Sequence, residues 1–341
     1  MLLKRSILTA LIALLFLEGV IALMLLFPAL SKFGPTNLMK GIYHERYREI
    51  IQFEPNYAHY DPKLTYTLRP GNFLFSNAEF TNQFQVNKLG VRDDKDSLDA
   101  PEIVVIGDSL AMGWGVNQNE TYAQLIEQKT KIKVLNAAIS SYGTVREIRM
   151  LDRVDTTRLK ILIIHFLAND TFENLAFYYG NNRLAITDKN GYKKTIQQYQ
   201  KAKRYYPGKY SVLFFKALAS GRIFKQYTPP EVEAASKIEP TTMVKLFLNT
   251  LINAGRTDLS DIQIIVIGKG KFISRLNEEK KLGNYPQYIK EIKTVDLSDQ
   301  LNDQCYYLLD EHFNAAGHRI IADLILAVMR EGPLIQNENI Y

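Results

Sequence analysis

Four short stretches of this chain hold side chains that could cooperate in acyl transfer. Gly107-Asp108-Ser109-Leu110 follows directly on the apolar run VVI. A serine at the carboxyl end of a buried strand presents its hydroxyl as a nucleophile and its own N–H to a developing oxyanion. Taken alone, Gly-Asp-Ser is an ordinary turn. Asp310-Glu311-His312 stands ahead of FNAAGHRIIADLI, a helical pattern. There a carboxylate can hold Nδ1–H of the imidazole while Nε2 takes the serine proton. Asn169-Asp170 follows ILIIHF; Asn169 can donate to the oxyanion, or either residue can cap the next helix. The segment NAAISSYGT (136–144) is a small-residue loop, where backbone can approach a substrate and offer an N–H. His165 lies in an apolar strand pattern and His318 in a helical one, so both read as packed residues rather than bases.

These stretches need a frame. EIVVIG (102–107), IKVLNAA (132–138), KILIIHF (160–166) and IQIIVIG (262–268) read as buried strands. Residues 121–131, 144–154, 240–254 and about 315–330 read as helices. Strands alternating with helices predict an α/β domain with a parallel sheet covered on both faces. Residues 32–100 interleave aromatics with Pro55, Pro62, Pro70 and Gly71, which predicts an extended, β-rich region of short strands. At 46% apolar and 11% aromatic the chain is too hydrophobic to be disordered. Its single cysteine, Cys305, excludes an internal disulfide and a multi-cysteine metal site. The five histidines form no His-Glu-x-x-His pattern, which argues against a zinc hydrolase.

The four stretches occur in the order, and at the strand ends, that resemble the SGNH (GDSL-type) hydrolase superfamily over residues 101–331. The resemblance implies a flavodoxin-like three-layer α/β/α sandwich. It implies Ser109 as nucleophile, His312 as general base and then acid, and Asp310 as the residue holding His312. The oxyanion hole would be the Ser109 N–H, the N–H of Ser141 or Gly143, and the Asn169 side chain. No metal or organic cofactor is implied. Three positions depart from the family pattern. Ser141 stands where a glycine is usual, Leu167 replaces the glycine of Gly-x-Asn-Asp, and Asp310 and His312 are one residue closer than in Asp-x-x-His. A membrane anchor followed by VNKLGVRDD (86–94) and the Gly-Asp-Ser strand also resembles membrane-anchored bacterial members, often linked with surface polysaccharide.

The N-terminus reads as that anchor. Residues 7–30 are apolar apart from Glu18, and as a helix would run about 36 Å against a bilayer core of about 30 Å. The run is longer than a signal-peptide core and no clear A-x-A site follows it. The expected layout is a short cytoplasmic tail (1–6), a transmembrane helix (7–31) and an extracytoplasmic domain. Lys and Arg lie on both sides of the span, so orientation rests on the resemblance. Glu18 reads either as a helix–helix contact in an oligomer or as a tolerated or protonated acid, and the second is preferred.

The net charge of +6 is concentrated: residues 171–230 hold eleven Lys or Arg and two acids, leaving −3 for the rest. The insertion 171–235 also holds many aromatics, and SVLFFKALASGRIFKQY (211–227) within it reads as one amphipathic helix. Three readings stand: a cover lining a groove for an anionic glycan, a packed helical extension with a solvated basic face, or a contact with anionic lipid head groups. No nucleic-acid motif is present. The expected function is hydrolysis of an O-acyl ester, O-acetyl among the candidates, on a surface carbohydrate or small ester. The alternatives are acyl transfer to a glycan hydroxyl and a non-catalytic surface-assembly or binding protein. Oligomeric state is left open.

Overall fold

The strands expected from the apolar runs are present, and a fifth joins them. In the computed structural model, which describes residues 2–331, the strands in chain order are β1 (Ala58–Asp61), β2 (Thr65–Leu68), β3 (Gly71–Asn77), β4 (Phe80–Val86), β5 (Ile103–Gly107), β6 (Val134–Asn136), β7 (Ile161–His165), β8 (Gln263–Gly268) and β9 (Lys293–Asp296). The last five form one parallel sheet in the order β6-β5-β7-β8-β9, the doubly wound order of flavodoxin-like folds.

The sheet is apolar on both faces because both are covered. Val104, Ile106, Leu162, Ile164, Ile264 and Val266 point to one side, against helices Thr144–Leu151, Pro240–Asn253 and Lys271–Leu282. Ile103, Val105, Ile161, Ile163, Ile265 and Ile267 alternate with them to the other side, against helices Tyr122–Thr130 and Ala315–Arg330. This is the expected α/β/α sandwich. Strand β9 reads KTVD and buries only Val295, so it carries no continuous apolar run for a sequence pattern to register.

Residues 32–100 differ from the extended region expected. The segment begins with a helix, Thr36–Ile42, a π-helical turn, Tyr43–Tyr47, and a 3-10 turn, Ile51–Phe53. Only then come two antiparallel hairpins, β1–β2 and β3–β4. Phe75, Phe80 and Phe84 of the second hairpin pack in the same core as Ile103 and Ile163. The segment is therefore packed into the same core as the parallel sheet.

The N-terminal helix spans Leu2–Leu26, ending before Pro28, which opens a 3-10 helix, Pro28–Phe33. Leu3–Leu26 has a mean hydropathy of 2.6 and is long and apolar enough to cross a membrane. Of the expected tail 1–6, Met1 lies outside the described residues and the rest continues the helix. Glu18 is not a solitary acid in the span: it is buried, and its carboxylate accepts from the N–H groups of Tyr210 and Ser211. The single helix expected over 211–227 is Lys209–Ala219, broken at Ser220-Gly221.

Candidate active site

Strand β5 delivers Ser109 to the carboxyl edge of the sheet. A Cβ at Gly107 would lie 2.6 Å from the Ala111 Cβ, so glycine is what lets the chain turn this tightly from strand to helix. Asp108 is the N-cap of the short helix Ser109–Met112 and accepts from Leu110 N at 2.9 Å. Burial pushes its carboxyl up to about 6.

Ser109 Oγ lies 2.8 Å from His312 Nε2, and His312 Nδ1 lies 2.5 Å from Asp310 Oδ1. The shortened Asp-x-His spacing closes because Glu311 takes a left-handed conformation, φ +61°. That turn folds the imidazole back onto the preceding carboxylate. Lys40 Nζ holds the Glu311 carboxylate at 2.7 Å. Trp114 stacks on the His312 ring, with centroids 5.2 Å apart and planes 23° apart.

The Asp310 carboxyl is buried. Burial alone would raise its pKa, but His312, Arg48 and the Tyr43 hydroxyl outweigh burial and hold it well below the usual carboxylate range. Tyr43 OH donates to Oδ2, the oxygen His312 does not use. Glu79, in the β3–β4 turn, accepts from the backbone N–H groups of Leu308, Leu309 and Asp310, each at 2.8 Å. The loop that carries Asp310 and His312 is thus fixed by the segment next to the N-terminal helix and by a hairpin turn. Sequence reasoning singled out none of Tyr43, Glu79 or Trp114. Tyr43 and Asp310 are 267 positions apart, and no spacing rule connects them.

The loop after β6 brings Ser141 and Gly143 to the same cavity as Ser109, Asn169 and His312. Ser141 is left-handed at φ +58°, the conformation a glycine adopts more easily. It is held there by Gln52 Nε2 donating to its Oγ at 2.8 Å and Arg146 donating to its carbonyl at 2.7 Å. Gly143 has no room for a side chain: a Cβ there would meet the Glu173 Cβ at 2.8 Å. The main-chain N–H groups of Ser109, Ser141 and Gly143 have no acceptor among the described residues. Asn169 precedes the helix Asp170–Tyr179 without capping it by its side chain, so its carboxamide is free to face the cavity it lines. His165 and His318 are both buried in the core, next to Tyr122.

The cavity holds about 550 Å³. Its far wall comes from the insertion, through Phe172, Ala185, Thr187, Tyr192, Thr195 and Glu231. Of the three readings of the basic insertion, the cationic groove is not what the lining shows: among the described residues, the Lys and Arg side chains bordering the cavity are Arg48 and Arg146, neither from 171–230. Arg146 is paired with Glu173, while the Arg48 guanidinium lies 5.6 Å from the Trp114 ring and its Nε is buried without a partner.

No protein-family model matches this sequence, and no curated protein is similar to it. Solved structures are. A carbohydrate esterase whose active site displays divergent catalytic and non-catalytic binding functions matches 69% of this chain at 13% identity, with a TM-score of 0.36. A putative GDSL-like lipase from Bacteroides ovatus matches 70% at 12% identity and 0.37. An acetyl xylan esterase from Butyrivibrio proteoclasticus matches 68% at 11% identity and 0.36. The matches cover 66%, 55% and 64% of those three chains respectively.

Proposed function

We propose that this protein is a membrane-anchored, extracytoplasmic serine esterase of the SGNH type. The observation that carries the reading is the unbroken chain from Asp310 through His312 to Ser109, at a cavity bordered by Ser141, Gly143 and Asn169. Ser109 Oγ attacks the ester carbonyl as His312 Nε2 takes its proton. The new imidazolium is held by the Asp310 carboxylate. The Ser109 N–H, the Asn169 amide and an N–H from Ser141 or Gly143 receive the oxyanion. Collapse expels the alcohol, which takes the proton from His312 and leaves Ser109 acylated. Water, deprotonated by His312, then attacks the acyl carbonyl; the acyl–Oγ bond breaks, His312 returns the proton to Ser109 Oγ, and the acid leaves. The substrate class is an O-acyl ester on a carbohydrate, with unpaired Arg48 placed to receive an anionic group of it.

A second reading is acyl transfer from Ser109 to a glycan hydroxyl. The insertion supplies Phe172 and Tyr192 to the cavity wall, aromatic surface on which an acceptor sugar ring can stack. The test uses the full chain in detergent micelles with p-nitrophenyl acetate. Ser109→Ala and His312→Ala should each lose about 10³-fold or more in kcat while keeping the wild-type melting temperature. Release of free acetate from an acetylated glycan identifies hydrolysis, and label moved onto an acceptor glycan identifies transfer. Equal background rates in all three proteins, with no labelling of Ser109 by a fluorophosphonate, would sink both readings and leave a binding role.

A further inference from the structure

The N-terminal helix is built into the domain at one level. Residues 3–16 are exposed all round, but from Leu17 onward one face is packed. Ile21 and Leu25 are buried with Leu38, Met39, Ile42, Tyr43 and Tyr210. The helix Lys209–Ala219 of the insertion lies alongside. Its first turn is tied to Glu18, which accepts from Tyr210 N at 3.1 Å, Ser211 N at 2.7 Å and Ser211 Oγ at 2.8 Å. A carboxylate at a helix N-terminus satisfies N–H groups that would otherwise be orphaned. Lys209 Nζ in turn donates to the carbonyls of Ala202, Lys203 and Arg204, at the end of helix Lys189–Lys203, and to Arg46. Both buried charges have their hydrogen bonds, as an apolar medium requires.

Length decides where this junction sits. The freely exposed residues 3–16 span about 21 Å at 1.5 Å per residue, and a bilayer core is about 30 Å thick. A helix that crosses with Lys4 and Arg5 outside the core must therefore bury residues from about 7 to about 26 in lipid, which takes in the level at which Lys209–Ala219 is docked. That helix carries apolar residues on opposite sides, with Lys216 the exposed charge along it. Leu213, Phe214 and Ala217 face the N-terminal helix, while Val212, Phe215 and Leu218 are exposed on the opposite side at helical spacing. Exposed apolar residues at helical spacing, on a helix packed beside a membrane-length helix, suit lipid, and a Lys among them can carry its ammonium to the head groups. Phe224, 83% exposed, lies in the 3-10 turn packed on the end of this helix, and Phe33, 89% exposed, ends the 3-10 helix that follows the N-terminal helix; Lys32, Lys216, Arg222 and Lys225 are close to them in the chain.

From these observations we infer that the helix Lys209–Ala219 enters the outer leaflet beside the N-terminal helix, with Phe33 and Phe224 at the acyl boundary and the neighbouring Lys and Arg side chains at the head groups. The partner of this surface is the lipid bilayer. The arrangement ties the Ser109 cavity to the docked segment, because Tyr43 of that cluster is followed five residues on by Arg48, which borders the cavity. It also makes the N-terminal helix a permanent part of the protein, since removing it would strip the cap from Lys209–Ala219 and open the core around Ile42 and Tyr43.

The inference rests on the anchor reading and not on the ester chemistry. The test places nitroxide labels on the full chain in phosphatidylglycerol–phosphatidylcholine nanodiscs, in a Cys305→Ser background, at Leu11→Cys, Phe215→Cys, Leu218→Cys and Leu282→Cys. Relaxation by oxygen is compared with relaxation by a water-soluble nickel chelate. The expected result is oxygen-dominated relaxation at 11, 215 and 218 and chelate-dominated relaxation at 282, which is exposed on the domain. Adding Glu18→Leu should move 215 and 218 toward the water-like value while 11 stays in lipid. Labels 215 and 218 as chelate-accessible as 282, with 11 in lipid, would overturn the inference and spare the anchor. A water-like signal at 11, or its loss by cleavage, would overturn both. Dipolar broadening at 215 that grows with protein-to-lipid ratio would mean that a second copy covers the face, and would also refute it.

Discussion

Tyr43→Phe is the sharpest perturbation of the site that leaves its three reacting residues in place. The Asp310 carboxylate is buried and uses Oδ1 for His312 and Oδ2 for the Tyr43 hydroxyl. Removing one hydroxyl leaves a buried anionic oxygen without that donor. A hydrogen bond to a charged group is worth about 1.5–3 kcal/mol, so the melting temperature should fall by several degrees. In catalysis the same bond fixes the carboxylate that orients His312, so kcat should drop about tenfold to a hundredfold, or about 1.4–2.8 kcal/mol in the barrier. The sign of the pH effect follows from Asp310. Its carboxyl is held below the ordinary value in the folded protein, so the ionised form contributes stability that is present above the unfolded value and lost as pH falls through the folded one. Loss of a donor to the ionised form raises the folded value. The acid limb of the rate profile and the acid unfolding midpoint should both move to higher pH in Tyr43→Phe. The assay is kcat against pH with p-nitrophenyl acetate, alongside acid-induced unfolding followed by circular dichroism. Unchanged kcat and an unmoved acid limb would show that the carboxylate needs no help from the segment that follows the N-terminal helix.

Other substitutions test other parts of the frame. Gly143→Ala forces a Cβ against Glu173, and the displaced Arg146–Glu173 pair should cost about 1–3 kcal/mol by urea unfolding. Ser141→Gly should retain activity, because the left-handed backbone is kept and only the side chain goes; Ser141→Pro, which has no N–H and cannot reach φ +58°, should lose stability and any activity that depends on that amide. Arg92 is fully buried and donates to the carbonyls of Gly113, Val116 and Gln83. Arg92→Met should therefore lower the unfolding free energy by about 3 kcal/mol, read from the denaturant midpoint. Arg48→Gln should reduce kcat/KM for an anionic ester about tenfold more than for a neutral one, the worth of roughly 1.4 kcal/mol; an equal fall for both would remove Arg48 from substrate recognition.

The legible parts of this protein are those in which one residue's environment is set by its near neighbours in the chain. The runs VVI, ILII and IIVI are apolar without a break because the strands are covered on both faces, and a continuous run is visible in a sequence. The edge strand KTVD lacks that pressure and was not read. Ser109, Asn169 and His312 were legible for a related reason: each sits at a strand end or in a helix-leading loop, where short motifs keep their meaning. The charge of the insertion left three readings open, because composition says how many Lys and Arg a segment holds and nothing about which way they face; the cavity lining disfavours only the groove reading. Glu18 misled for the complementary reason. Read within its own helix it is a cost, and only the first turn of Lys209–Ala219, far away in the chain, turns it into a cap.

The departures at Asp310–His312 and at Ser141 have a common resolution. In both, a residue other than glycine is held left-handed, Glu311 at φ +61° and Ser141 at φ +58°. Each such residue costs about 1–2 kcal/mol, and each is restrained by hydrogen bonds from outside its own loop: Lys40 on Glu311, Gln52 and Arg146 on Ser141. Lys40 and Gln52 both belong to the stretch between the N-terminal helix and the first hairpin. A site that keeps a shortened triad spacing and a serine in a glycine-favouring turn therefore needs that stretch folded around it. The conformational cost sits in the loops around Ser109 and His312 while the restraint comes from the segment next to the N-terminal helix. Lys40→Met should accordingly weaken the His312–Ser109 geometry without touching either residue. It should be seen as a fall in kcat with little change in KM, and Lys40→Arg should restore most of it. Equal loss in both variants would mean that the left-handed turn at Glu311 is held by the loop itself.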